Sequence, residues 1–168
     1  MDPDGAGQIA FAIIIDAGDW PAEPDLRRLA RRSLQTAYDV AVADGVPRRP
    51  DYQVSLVFTD DATVQDLNRK WRGKDRATNV LSFPQSGRVA GLLGDIVLAC
   101  DTVRNEAALE DKPFDHHIAH LIVHGFLHLV GYDHESLEDA ELMEHLERSG
   151  LANIGIADPY AAAAVTDD

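Results

Sequence analysis

Three histidines, His124, His128 and His134, with Gly131 between the last two, constrain this chain more than any other feature of it. Residues four apart share a helix face and lie roughly 6 Å apart along the axis, so the His124 and His128 rings can converge on one cation. Gly131 supplies a residue free to take positive φ, which ends a helix and turns the chain back. That turn can bring His134 round as a third ligand from outside the helix. Three neutral imidazoles with an open fourth position suit a catalytic Zn²⁺ better than a closed structural site. Nickel, cobalt and copper also accept such a donor set.

The same segment, H-G-F-L-H-L-V-G-Y-D-H, resembles the metzincin protease signature H-E-x-x-H-x-x-G-x-x-H at every fixed position but one. Where those proteases carry the Glu that acts as general base, this chain has Gly125. The metal cage is present and the protease's base is absent, which directs the chemistry toward a different hydrolysis.

Cys100 is the only cysteine, so no intrachain disulfide forms and the metal site cannot rest on several thiolates. The apolar run Ile9–Ile15 is too short to span a bilayer, and it follows Asp2 and Asp4 rather than Lys or Arg, a poor signal peptide. The expectation is a cytoplasmic protein without a membrane partner. A net charge of −14 argues against sequence-blind attraction to nucleic acid. The charge is uneven, however. Arg69, Lys70, Arg72, Lys74 and Arg76 stand against Asp75 alone, whereas nine carboxylates from Glu135 onward face only Arg148. A local basic segment on an acidic body can still hold a phosphate backbone, though a solvated helix end would look the same.

Periodicity orders the elements. Ile9–Asp16 has the β-branched density of a buried strand, and Asp25 is placed to cap a helix through Leu26, Leu34 and Tyr38 to Gly45. Tyr52–Thr59 alternates as a half-exposed strand with Val54, Leu56 and Phe58 on one face. Asp60 or Asp61 caps a short helix containing Val64, Leu67 and Trp71, ended by Gly73. Val80–Phe83 and Asp95–Ala99 read as strands, with a loop or hairpin connection over Gly87–Gly94. Asp101 is expected to cap a helix to Leu109, Pro113 to start the histidine-bearing helix, and Ser136 with Asp139 to open an acidic helix to Gly150. The sum is a single α+β domain over residues 1–160: about four strands in a sheet covered by helices, with the histidine-bearing helix lining a metal cleft. Residues 161–168 are expected to form a flexible tail.

Around the three candidate ligands, His117 and His120 are expected to line the cleft rather than bind metal, and His145 to lie on the surface. Asp133 is a candidate to hold a ligand histidine's outer N–H, or else to close an Asx turn. Asn79, Ser82 and Asp95 either line the cleft or support the backbone.

His124–His134 is similar to the H-G-x-L-H-L-x-G-Y-D-H hallmark of the YbeY family of ribosomal RNA maturation endoribonucleases. Leu67–Pro84 resembles that family's L-N-x-x-x-R-x-x-D-x-x-T-[DN]-V-L-S-F-P segment, Leu93–Ile96 its L-G-D-I, and Asp158-Pro159-Tyr160 a motif near its end. The segments occur in the family's order over most of residues 55–160.

The resemblance implies a zinc-dependent endoribonuclease that cleaves single-stranded RNA, acting in 3′-end maturation of 16S rRNA and in ribosome quality control. It makes His124, His128 and His134 the ligands of one zinc ion, and Arg72, with His124, the catalytic pair. Arg72 becomes a substrate-binding cation, and the local basic segment adds Lys74 and Arg76 as candidates beside it. A guanidinium can pair with two phosphate oxygens at once, which suits phosphodiester cleavage without the missing Glu. Whether water or the RNA 2′-hydroxyl attacks stays open. So do two other classes: a peptidase-like zinc hydrolase, and a non-catalytic zinc-containing ribosome assembly factor. The small-subunit rRNA and the ribosome are the implied partners, and an acidic surface also suits a basic ribosomal protein.

Overall fold

The apolar faces of two central strands account for the layers of the fold. In the computed structural model, which describes residues 8–85 and 91–161, the strands are β1 (Ala10–Ile15), β2 (Gln53–Thr59), β3 (Val80–Pro84) and β4 (Leu92–Ala99). The helices are α1 (Glu23–Ala43), α2 (Asp61–Arg72), α3 (Cys100–Leu109), α4 (Phe114–Leu129) and α5 (Leu137–Asn153). Strand order is β1-β2-β4-β3, with β1, β2 and β4 parallel and β3 antiparallel to β4. The chain is thus a single α+β domain. Residues 162–168 of the expected tail, and residues 87–90 of the expected Gly87–Gly94 loop, lie outside the described residues.

Strand side chains alternate between faces. Val54, Leu56 and Phe58 of β2 join Ile96 and Leu98 of β4 in the main core, against α1, α4 and α5. Val97 and Ala99 point the other way and form a smaller core with Leu81 and with Val64 of α2. β4 is therefore buried on both faces, as a central parallel strand is. The expectation of a buried first strand is corrected. β1 is an edge strand with one neighbour, so Phe11 and Ile13 turn toward the core while Ile14 is 52% exposed.

Helix ends follow local chemistry where no tertiary contact competes. Asp60 caps α2 by accepting from the Thr63 N–H, and Gly73 closes it in the left-handed conformation. Ser136 caps α5 through the Asp139 N–H. Two expected caps are corrected. Asp25 lies inside the first turn of α1, behind Ala22 and Pro24, and Asp101 inside that of α3, behind Ala99. Both still complement the positive helix end. Asp61 does not cap; it reaches across to Thr102, accepting from its N–H at 3.0 Å and its hydroxyl at 2.8 Å. α5 also runs past its expected end. Gly150 is interior, and its carbonyl accepts from buried Thr36 Oγ1 at 2.8 Å. No helix among the described residues is long and apolar enough to cross a membrane.

α4 crosses β4 closely at Gly125. A Cβ added to Gly125 would sit 2.8 Å from Ile96 Cγ2, in a region where Ile96 is fully buried and cannot move aside. No side chain fits there, so the position of the protease general base is denied to Glu by packing. Overpacking of about 1–3 kcal/mol exceeds the roughly 1 kcal/mol that Gly→Ala gains in a helix. Gly125→Ala is therefore expected to lower Tm. Thermal melts in an Ile96→Ala background should show a smaller loss, and simple additivity of the two losses would contradict the close approach.

Candidate metal centre

α4 is buried around most of its circumference, with Ile118, Ile122, Phe126 and Leu127 fully enclosed. Apart from Asp115 and His116 in its first turn, its polar residues are His117, His120, His124 and His128, which lie three or four residues apart along one stripe. The helix ends in a Schellman turn. Gly131, at φ +109°, donates to His128 O, and Tyr132 N donates to Leu127 O at 3.0 Å. This turn returns His134 to the helix face. Its ring centroid is 5.8 Å from that of His124 and 5.2 Å from that of His128. One ring nitrogen from each of the three lies within 4.8 Å of the others, so the trio can hold a metal ion.

The outer hydrogen bonds fix how the first two rings present themselves. His128 Nδ1 meets Tyr132 O at 2.9 Å, and a carbonyl only accepts, so Nδ1 carries the hydrogen. His124 Nδ1 meets Glu147 Oε2 at 2.7 Å, and an ionised carboxylate likewise only accepts. In the neutral form that binds a metal, both Nε2 atoms are then bare lone pairs, and they face each other at 3.1 Å. Two lone pairs at that distance repel unless a cation lies between them. The spacing suits one. Two nitrogens bound to zinc at tetrahedral angles lie about 3.3 Å apart.

Glu147 is the residue that sequence reasoning missed. It is 0% exposed, inside a helix expected to be a solvated acidic surface. It accepts from His124, from His120 Nε2 at 2.8 Å and from the Tyr160 hydroxyl. Burial alone would raise its pKa. The hydrogen bonds from His120 and His124 and the attraction of those rings outweigh burial, holding the carboxyl well below the usual range. The signal in the sequence was its phase. Met143, Leu146, Glu147, Gly150 and Leu151 form the buried stripe of α5, so a carboxylate stands where the pattern asks for an apolar side chain.

Asp133 takes neither ligand's outer N–H. Its carboxylate accepts from the Glu135 N–H at 3.1 Å, the Asx-turn role, while Glu147 and the Tyr132 carbonyl hold His124 and His128. The Tyr132 hydroxyl donates to Asp44 Oδ2 at 2.6 Å and ties the turn to the end of α1. His117 is buried against Glu106 Oε1 at 2.8 Å, and Asn79 donates to that same oxygen, so Asn79 supports α3 and α4 rather than the cleft. His145 is exposed, as expected.

Arg72, at the end of α2, donates to Ser82 O at 2.7 Å, and its guanidinium lies 5.4 Å from the centre of the Phe83 ring. Ser82 Oγ in turn donates to Gly125 O, next to His124, at 3.4 Å. β3 thereby links Arg72 to the histidine helix. No carboxylate pairs with Arg72 among the described residues. Lys74 and Arg76 are exposed in the following loop, where the Asn68 side chain holds Arg76 O at 2.9 Å. Among the described contacts, neither side chain touches the histidines.

Burial, and secondarily the neighbouring His124, pushes the His128 pKa down to about 4. Unfolded, the same ring protonates near pH 6.5. The unfolded state then binds the proton that the fold refuses, so stability is lost as pH falls from about 6.5 to 4. Glu147, lowered by its partners, extends the loss at still lower pH. Melts of the metal-free protein should show Tm falling across this window, with a flatter limb in His128→Asn. A pH-independent Tm would contradict the buried neutral ring.

Comparison with known proteins gives a consistent picture. Residues 20–155 match the family Endoribonuclease YbeY. A protein named Endoribonuclease YbeY from Rhizobium meliloti is 50% identical over 155 residues, spanning 88% of this chain and 92% of that one. One of the same name from Rhodopseudomonas palustris is 48% identical over 155 residues, spanning 89% and 80%. The solution structure of TM1509 from Thermotoga maritima shares the fold, with a TM-score of 0.53 at 22% identity over 93% of this chain and 99% of that one. With the histidine signature intact and the match spanning β2, β3, β4 and all five helices, the chain belongs to the YbeY family.

Proposed function

We propose that this chain is a zinc-dependent endoribonuclease cleaving single-stranded RNA, with His124, His128 and His134 holding one zinc ion and Arg72 gripping the reacting phosphate. The observation that carries the metal reading is the 3.1 Å approach of the two bare Nε2 atoms. When bound, zinc supplies Lewis-acid polarisation of a phosphate oxygen or acidifies a water toward neutrality. His124 serves as ligand and as the link from the cleft to Glu147. Glu147 and Tyr132 O keep both imidazoles in the tautomer that aims Nε2 outward.

Arg72 spends one N–H on Ser82 O and keeps the rest of its fork. Charge developing on two phosphate oxygens is matched by a planar pair of donors. Lys74 and Arg76 extend the positive charge along the strand. The relatives' name, Endoribonuclease YbeY, supports the RNA substrate, and the motif resemblance extends the proposal to 3′-end maturation of 16S rRNA and ribosome quality control in the cytoplasm. A basic ribosomal protein suits the acidic remainder of the surface. The catalytic unit is the single domain through residue 160.

Zinc-loaded protein is expected to cut single-stranded RNA and to lose that activity on chelation. His128→Ala, purified in parallel, should be inactive and exposes any contaminating ribonuclease. Arg72→Ala should lower kcat by about 10²–10³-fold, the typical loss of a charge-stabilising donor. Arg72→Lys should also be impaired, because an ammonium lacks the fork; near wild-type cleavage by it would remove the bidentate role. Glu147→Gln should weaken zinc affinity by about 10–100-fold, measured by competition with a chromophoric chelator. Unchanged affinity would mean that Glu147 serves only the fold.

A further inference from the structure

The geometry points to Trp71 as a stacking platform for one base of a single-stranded RNA whose phosphates are held by the cations beside it. This rests on the endoribonuclease reading and adds a base-binding subsite to it. α2 buries Val64 completely and Leu67 in part. Trp71 follows on the same stripe, two turns beyond Val64, yet it is 65% exposed. Helical phase therefore places an indole where packing has run out.

Its surroundings decide what the exposed ring can receive. Lys70 Nζ lies 5.6 Å from the ring centre. Arg69 is paired with Asp66, and Asp75 accepts from Gln65. Among the described residues no carboxylate pairs with Lys70, Arg72, Lys74 or Arg76, so four open cations lie within seven residues of a chain of net charge −14. The other strongly exposed leucines sit in acidic settings, Leu109 beside Glu110 and Leu137 beside Glu138. Trp71, the one strongly exposed aromatic ring among the described residues, combines a large apolar face with open positive charge, and a polyanion is the partner that charge selects.

Single-stranded nucleic acid fits both halves of this surface. Its bases are free to stack on an aromatic ring while its phosphates track a basic groove. In a duplex those faces are already stacked on each other. Protein recognition of RNA sequence and single strands uses this combination widely. Arg72 is the next residue in the chain, so a base on Trp71 holds its strand close to the guanidinium proposed to grip the phosphate.

The test uses the zinc-loaded full chain with a labelled oligoadenylate, its anisotropy read before turnover. Trp71→Ala should weaken single-strand affinity by about 5- to 150-fold, the range for one stacked base. Trp71→Phe should keep most of it, and binding of the matching duplex should not change. Trp71 fluorescence should be quenched by the single strand, while Trp20, 9% exposed, reports only the background in Trp71→Phe. KM should rise in Trp71→Ala with zinc content and Tm unchanged. Equal single-strand affinity in wild type and Trp71→Ala would overturn the stacking role while leaving RNA cleavage intact. Wild type that neither binds nor cuts RNA would overturn the endoribonuclease reading and the subsite with it.

Discussion

Two imidazole lone pairs are held face to face by bonds made on the far side of each ring, and the rest of the molecule is arranged around that opposition. His124 is aimed by a fully buried carboxylate and His128 by a backbone carbonyl one turn on. A buried carboxylate is costly unless its oxygens are satisfied. Here His120, His124 and Tyr160 satisfy them, so α4, α5 and the segment near Asp158 must all be in place before the site exists. The carbonyl needs the Schellman turn at Gly131, and Tyr132 anchors that turn to α1 through Asp44. The exposed third histidine is carried on the same turn.

The crossing of α4 over β4 does a second job. Gly125 lets the helix lie against Ile96, and its carbonyl accepts from Ser82 of β3. Ser82 O in turn receives Arg72. The glycine that excludes a protease base thus belongs to the chain of contacts that brings a guanidinium toward the histidines. A side chain at that position would push β4 and β3 away and loosen both ends of the arrangement. The exclusion of a side chain at 125 and the tether on Arg72 both run through this one crossing.

Much of this was legible in the sequence, and the exceptions have a common cause. The i, i+4 histidines and the following glycine encode their own geometry, because helix pitch and positive φ are local properties. Alternation in 52–59 gave the right face for Val54, Leu56 and Phe58. Asp60 and Ser136 cap through bonds spanning three residues. What escaped is set by distant partners. Glu147 read as one more charge on an acidic helix, since the donors that justify its burial come from another helix and from Tyr160. Asp133, adjacent to the candidate ligand His134, read equally as support for a histidine or as an Asx turn, and only the structure shows it facing its own turn. Ile9–Asp16 reads as a buried strand from composition, and only the strand order reveals that it has a single neighbour.

Electrostatics then shapes how such a site meets its substrate. Affinity for a polyanion scales with the number of phosphates neutralised, and log K falls with log salt in proportion to that number. Four open cations on one loop and helix end can engage only a few phosphates, while an acidic body repels the rest of a long strand. The charge distribution therefore disfavours tight, indiscriminate capture of RNA. The proposed contacts do not depend on total charge: a bidentate grip at Arg72, a metal at the histidines and an aromatic face at Trp71. Each is short-ranged, and the aromatic face requires a strand free of its complement. An acidic protein with a small basic lip is thus selective by construction, since the forces that attract RNA at a distance are weak and those that hold it act only within contact.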